Sequence, residues 1–234
     1  MLEIKNFTIE KEGKEIVSDA SFSMKPKTTY VLFGENGSGK STLLEGIIGY
    51  KESIVTGGSI HLNGKDITNE SIMTRAKLGI FYSPQHVPNI EGVTLPQLLY
   101  RSQKTKESEG ISILDVRRTL KEYVELFNLS PKILDADLGG SLSGGEKKQV
   151  ELLSLLFYKP AFALLDEIDS GLDVGMIGSL AKILTYVQEN FGTSVLLVTH
   201  NPLLIKSLGN ITIFLIEKGS IVKTGGEELL VYKK

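Results

Sequence analysis

The sequence predicts an α/β domain on a parallel-type sheet, with a helical segment let into it. Thr28–Phe33 and Ser194–Thr199, rich in β-branched residues, and the apolar run Ala161–Leu165 have the length and composition of buried strands. Helical patterns alternate with them, Ser41–Ile48 after the first strand and Ile177–Phe191 after the Ala161–Leu165 run, and such alternation marks the α/β class. From about Gln85 to Tyr158 the apolar residues keep helical spacing, so this stretch is expected to be a lobe inserted between two halves of the core.

In chain order, Leu2–Ile9 and Glu15–Ser23 read as strands turning at Gly13-Lys14, and Lys25-Pro26-Lys27 leads into Thr28–Phe33. That strand ends at Gly34. Gly57-Gly58 precede a short strand, Ser59–Leu62, which enters a hairpin-type turn at Asn63-Gly64. Leu78–Tyr82 is a further strand. Leu95, Leu98 and Leu99, then Ile113, Val116, Leu120, Val124 and Phe127, recur at helical spacing on either side of a charged stretch, Lys104–Glu109. Asn210–Ile216 and Ser220–Lys223, joined at Glu217-Lys218-Gly219, form a terminal hairpin. The expected organisation is a single domain, 1–234, with a core lobe of 1–84 and 159–234 and a helical subdomain of about 85–158.

The composition narrows the chemistry. The length of 234 residues is ample for a core without cross-links. A formal net charge of -2 gives no basic field for nucleic acid, so no nucleic-acid partner is expected. With no cysteine there is no disulfide, no thiolate metal site and no cysteine nucleophile, and the chain cannot ligate an iron–sulfur cluster through thiolates of its own. His61, His86 and His200 are too few and scattered for a metal cage. The N-terminus carries charges where a signal peptide needs an apolar stretch. The most apolar segment, Leu152–Leu165, is broken by Lys159-Pro160 and falls short of the ~20 apolar residues that span a bilayer. A soluble, cytoplasmic protein with no direct membrane insertion is expected.

Gly34-Glu35-Asn36-Gly37-Ser38-Gly39-Lys40-Ser41 fills every position of G-x-x-x-x-G-K-[ST], between a strand and a helix. Glycines there let backbone N–H groups turn inward around an anion where a Cβ would block the approach. The positive end of the following helix adds to the attraction. Lys40 would supply a point charge to β- and γ-phosphates and Ser41 a hydroxyl to Mg²⁺, so the expected ligand is ATP with Mg²⁺. Ala161–Leu165 runs straight into Asp166-Glu167, placing two acids at the carboxyl edge of a parallel sheet. Asp166 is expected to hold Mg²⁺, directly or through water, and Glu167 to orient and polarise an attacking water.

Further along, Ser143 and Glu146 have the spacing of an ordinary helix-capping box. That spacing leaves Gly144 and Gly145 unexplained, since each glycine costs up to ~1 kcal/mol inside a helix. Bare amides at a helix N-terminus beside a hydroxyl suit a second phosphate, and two phosphate sites with one complete P-loop suggest a nucleotide shared between chains. Ser170-Gly171-Leu172-Asp173 lies just beyond the acids, and Val195–Val198 delivers Thr199-His200 to the same sheet edge.

Together these residues resemble the ABC ATPase set, in the family's order and over nearly the whole chain. Walker A is Gly34–Thr42, the Q-loop residue Gln85, the signature Leu142–Glu146, Walker B Phe162–Asp166, the catalytic acid Glu167, the D-loop Ser170–Asp173 and the H-switch His200. The resemblance implies a P-loop ABC-type ATPase core with an inserted helical subdomain, an ATP hydrolase that forms a transient, ATP-dependent head-to-tail homodimer. It implies that Gly34, Asn36, Gly37, Ser38, Gly39, Lys40, Ser41 and Thr42 hold ATP together with Ser143, Gly144, Gly145 and Asp173. Mg²⁺ would fall to Ser41, Gln85 and Asp166, and catalysis to Glu167, His200 and Gln85. One departure stands out: family members often stack an early aromatic residue on adenine, and the aligned position here is Lys11.

Within the family, Leu165–Asp173 is similar to the LDE-x-DSGLD segment of the SufC subfamily, where transporter ATPases more often read Pro-Thr in place of Ile168-Asp169. Phe81–Val93, Arg75–Gly79 and Thr224-Gly225-Gly226 also look similar, and that subfamily commonly lacks the adenine-stacking aromatic. This likeness implies that ATP-driven closure moves SufB/SufD-type scaffold proteins during iron–sulfur cluster assembly. The alternative is the nucleotide-binding subunit of an ABC membrane transporter. A partner would dock near Gln85–Leu99, where Val93, Leu95, Leu98 and Leu99 equally suit packing inside the lobe.

Overall fold

The computed structural model describes residues 1–85, 89–104 and 111–232; His86 and the charged stretch 105–109 lie outside the described residues. The chain begins with β1 (Leu2–Lys11), β2 (Lys14–Met24) and β3 (Thr29–Phe33), followed by α1 (Lys40–Ile48), β4 (Ile54–Leu62), β5 (Lys65–Asp66), α2 (Ile72–Lys77) and β6 (Ile80–Ser83). Then come α3 (Leu95–Lys104), α4 (Ile113–Leu126), a 3₁₀ turn (Pro131–Leu134) and α5 (Gly144–Tyr158). The last part holds β7 (Phe162–Asp166), α6 (Val174–Phe191), β8 (Ser194–Val198), α7 (Pro202–Leu208), β9 (Ile211–Glu217), β10 (Ser220–Gly225) and a 3₁₀ turn (Glu227–Tyr232).

Two sheets organise these strands. The antiparallel one runs β2-β1-β4-β5, and the larger runs β10-β9-β3-β8-β7-β6. In the larger sheet β9, β3, β8, β7 and β6 are mutually parallel and only β10 returns antiparallel. Every residue of β3, β7 and β8 is buried, which explains their uninterrupted apolar runs. Because these strands point the same way, the segments leaving β3, β6, β7 and β8 emerge at one carboxyl edge, the place where parallel sheets bind ligands. Those segments carry Gly34–Gly39, Gln85, Glu167 and His200.

The antiparallel sheet presses its apolar face on α1. Leu2, Ile4, Phe7 and Ile9 are buried, and the register shift between Ile4 and Phe7, at Asn6 with φ 49°, keeps Phe7 on the inner face. Gly57-Gly58, expected to precede a strand, instead lie inside β4. They form a bulge opposite that shift: Gly58 has φ 80°, and a Cβ there would stand 2.3 Å from the carbonyl oxygens of Lys5 and Asn6. The expected strands are otherwise present with shifted ends. Both α2 and α7 were illegible as helices, being too short for periodicity to register. Their caps are nonetheless local: Ser71 accepts from the Thr74 N–H, and Asn201 accepts from Leu203 and Leu204 ahead of Pro202.

One apolar cluster joins the helices between β6 and β7 to the sheet, from Leu99, Val116 and Leu120 through Leu152 and Leu156 to Leu165 and Leu197. Leu95 and Leu99 are interior here, so neither is available to a partner. Among the described residues no helix is long and apolar enough to cross a membrane.

Candidate active site

The loop between β3 and α1 is shaped by its own chain. A Cβ on Gly34 would stand 2.3 Å from the Ile216 carbonyl oxygen in β9 and 2.8 Å from Ser38 Oγ. Gly37 and Gly39 have φ of 79° and 101°, left-handed values that suit glycine. Gly39 is also the N-cap of α1, and its carbonyl accepts from Leu43 N at 2.8 Å. Gly219 N donates to the Ser38 carbonyl at 2.9 Å, fastening the loop to the β9–β10 turn. Asn36 and Gly37 are exposed at the tip, whereas Ser38, Gly39, Lys40 and Thr42 are buried, and Ser41 is half-buried. Lys40 Nζ donates to the carbonyls of Gly34 at 3.0 Å and Glu35 at 2.8 Å, so the ammonium lies across the loop.

Asp166 ends β7 and is 2% exposed, yet its Oδ1 has no hydrogen-bond partner. Burial pushes its carboxyl above the usual aspartate range. The Ser41 hydrogen bond opposes that shift, the neighbouring Glu167 charge adds to it, and Lys40 opposes it again. A buried carboxyl with one oxygen unengaged, beside the Ser41 hydroxyl of α1, fits a hard cation, whose charge would hold it ionised. Ser41 and Asp166 therefore fit Mg²⁺. Among the described residues no group of three or more His, Cys, Asp and Glu could hold a metal ion by itself.

Glu167 has φ 49°, a left-handed conformation that costs a non-glycine residue about 1 kcal/mol or more. Its backbone N–H donates to the Val198 carbonyl in β8 at 3.0 Å, which holds the turn. Its side chain accepts a hydrogen bond from Gln85 Nε2 at 2.7 Å, so the structure brings together residues separated by 82 positions. His200 follows β8, is exposed, and its ring lies 5.9 Å from that of Phe33 at the end of β3. Thr199 Oγ1 donates to Asp169 Oδ2 at 2.6 Å, tying the His200 turn to the Glu167 turn. Burial raises the Asp169 carboxyl, and the Thr199 bond opposes that rise.

The signature turn differs in kind. Ser143 caps α5, accepting from Glu146 N at 3.3 Å while Ser143 N donates to Glu146 Oε2 at 2.9 Å. A Cβ on Gly144 or Gly145 would meet nothing within 4 Å. Gly144 lines a cleft of about 300 Å³ with Gln85, Lys147, Glu151, Ser170 and Gly171, and no residue of the Gly34–Thr42 loop lines it. Asp173 has a structural task as well, capping α6 by accepting from Met176 N at 2.9 Å.

Sequence reasoning missed several groups around the site. Lys11, aligned with the position where family members often carry an adenine-stacking aromatic, is paired with Glu45 of α1 at 2.7 Å, and Ser53 donates to the same oxygen. Arg75 is 2% exposed and donates to the carbonyls of Gly46 and Ile47 at the end of α1 at 2.8 and 2.7 Å. Glu151 of α5 is buried and accepts from Ser83 Oγ, and Lys148 pairs with it at 3.2 Å. An acid inside the apolar stretch Val150-Glu151-Leu152-Leu153 was a usable signal for this last group.

Residues 17–170 match the family described as ABC transporter. The chain is 36% identical to Vegetative protein 296 of Bacillus subtilis over 97% of its length and 88% of that protein's. It is 33% identical to a probable ABC transporter ATP-binding protein of Streptococcus pyogenes over 98% of its length and 90% of that protein's. It is 30% identical to a probable ATP-dependent transporter of Synechocystis over 98% and 91%. The fold matches the dimeric post-hydrolysis structure of the ATP-binding cassette MJ0796 bound to ADP and Pi, with a TM-score of 0.85 at 20% identity over 97% of this chain and 98% of that one. The chain belongs to the ABC transporter family, as an ATP-hydrolysing nucleotide-binding domain that uses ATP and Mg²⁺.

Proposed function

We propose that ATP is hydrolysed at sites shared head to tail by two copies of the chain, and that the resulting closure works a SufB/SufD-type scaffold in iron–sulfur cluster assembly. One observation carries the shared site: the glycines of the Gly34–Gly39 loop are required by their own chain, whereas Gly144 and Gly145 stand in open space. In this reading the first copy contributes Gly34, Asn36, Gly37, Ser38, Gly39, Lys40, Ser41 and Thr42 to the phosphates. The second contributes Ser143, Gly144, Gly145 and Asp173. Ser41, Asp166 and Gln85 would hold Mg²⁺, which would supply positive charge against the phosphate oxygens. Glu167 orients and polarises the attacking water, Gln85 places Glu167, and His200 contacts the transferred phosphate. The helical subdomain of about 85–158 turns against the core lobe of 1–84 and 159–234.

For the load, the Leu165–Asp173 segment supports an assembly ATPase, and the absence of cysteine is compatible with cluster chemistry that belongs to its partner. A groove of about 550 Å³ beside the sheet-edge strand β6 offers a docking place, with Ile72 and Met73 exposed along α2. A cytoplasmic location goes with this reading. A membrane-transporter subunit is the second reading, favoured by the names of the Streptococcus and Synechocystis relatives. Affinity capture of Glu167→Gln from cells in ATP separates them. The expected co-purifying partner is a soluble SufB/SufD-type scaffold, and recovery of a multispanning permease would overturn the assembly reading.

A further inference from the structure

The first turns of α5 grip the segment leaving β6 through successive side chains. Lys147 Nζ donates to Asn89 Oδ1 at 2.8 Å, Lys148 Nζ to the Gln85 carbonyl at 3.4 Å, and Glu151 accepts from Ser83 Oγ. Lys148 and Glu151 also pair with each other, with side chains only 10% and 6% exposed. A buried ion pair is weak support for stability, because well-packed apolar residues of similar volume often do as well or better. The partners here are not scattered, however. Both reach the stretch whose Gln85 side chain meets Glu167, Lys148 at the Gln85 carbonyl and Glu151 at the Ser83 hydroxyl.

We propose that Glu151 is a positioning residue for ATP hydrolysis: bonded to Ser83, and through Lys148 to the Gln85 carbonyl, it fixes the backbone from which Gln85 reaches Glu167. This inference rests on the roles given above to Gln85 and Glu167.

The test is a double-mutant cycle on the full chain, following kcat and KM for ATP hydrolysis and the melting temperature together. Glu151→Leu leaves Lys148 buried without its partner and is expected to lower the melting temperature; in the folded protein it is expected to keep the KM for ATP while lowering kcat about tenfold or more. Glu151→Gln, whose carbonyl oxygen can still accept from Lys148 while its amide N–H donates to the Ser83 hydroxyl oxygen, is expected to stay within about threefold of wild type. Gln85→Ala alone is expected to lower kcat as well, and adding Glu151→Leu to it should cost nothing further, because Glu151 acts through Gln85. A purely structural residue would instead give losses that multiply. Multiplying losses, or a folded Glu151→Leu with wild-type kcat, would overturn the proposal. Wild-type kcat in Gln85→Ala would overturn the role of Gln85 and this inference with it. Should Glu151→Leu fail to fold, Ser83→Ala replaces it in the same cycle and is read by the same two criteria.

Discussion

The Gly34–Gly39 loop and the signature turn at Ser143–Gly145 are both glycine-bearing entries to a helix, and they differ in what requires the glycines. In the first, the requirement is internal: a Cβ on Gly34 would meet a β9 carbonyl at 2.3 Å, and Gly37 and Gly39 take left-handed φ. In the second nothing of the chain itself comes within 4 Å. Ser143 and Glu146 already cap α5, so the glycines there add no cap and weaken the helix. A feature that costs stability and serves no internal contact points outward. The comparison therefore teaches that one half of the site is finished within the chain and the other half waits for a surface that approaches closely.

Substitutions can break this contrast. The largest effect is expected in the finished half, where Lys40→Ala and Glu167→Gln should each lower kcat by roughly 10²–10⁴-fold in a steady-state ATPase assay. Equal turnover in wild type and Glu167→Gln would remove Glu167 from its assigned role. Next, Gly34→Ala and Gly144→Ala should part company in thermal melts. The first forces a carbon against a backbone carbonyl and is expected to cost about 1–3 kcal/mol. The second relieves a helical glycine and should be neutral or stabilising by up to about 1 kcal/mol, while weakening ATP-dependent dimerisation of a Glu167→Gln background measured by light scattering. The smallest effect concerns Asp173. Asp173→Ala loses the α6 cap, at about 1 kcal/mol, whereas Asp173→Asn keeps a capping acceptor. A folded Asp173→Asn with reduced turnover would mark the charge, rather than the cap, as the group used at the shared nucleotide.

What was legible in the sequence was whatever is contiguous. Gly34–Ser41, Asp166-Glu167 and Thr199-His200 each sit at the end of a short apolar strand, so motif and context occupy one stretch of chain. The fold class followed from the same alternation. Groups assembled by topology were not legible. Ser83 meets Glu151 across 68 residues, Lys11 meets Glu45 across 34, and Thr199 meets Asp169 across 30. The neighbouring order of β7 and β8 brings Thr199 to Asp169, the placement of α5 beside β6 brings Glu151 to Ser83, and the packing of β1 on α1 brings Lys11 to Glu45. Gly57-Gly58 misled for a different reason. A glycine pair punctuates a turn and a bulge alike, and only the opposing carbonyls of Lys5 and Asn6 decide between them. Leu95 and Leu99 were ambiguous because a helix stripe has the same period whether it faces a core or a partner.

The central claim is that the open half of one chain completes the finished half of another. Mixing two inactive variants tests it most directly. Lys40→Ala lacks a working phosphate loop but keeps its signature turn, and Gly144→Asp keeps the loop but sets a negative charge where the partner's phosphate would lie. Each alone has both composite sites damaged and should be inactive. A mixed pair contains one composite site with an intact loop from the Gly144→Asp chain and an intact turn from the Lys40→Ala chain. The account predicts that ATP hydrolysis reappears on mixing and rises with the fraction of mixed dimers. A mixture as inactive as its separate components, with both proteins folded, would contradict it.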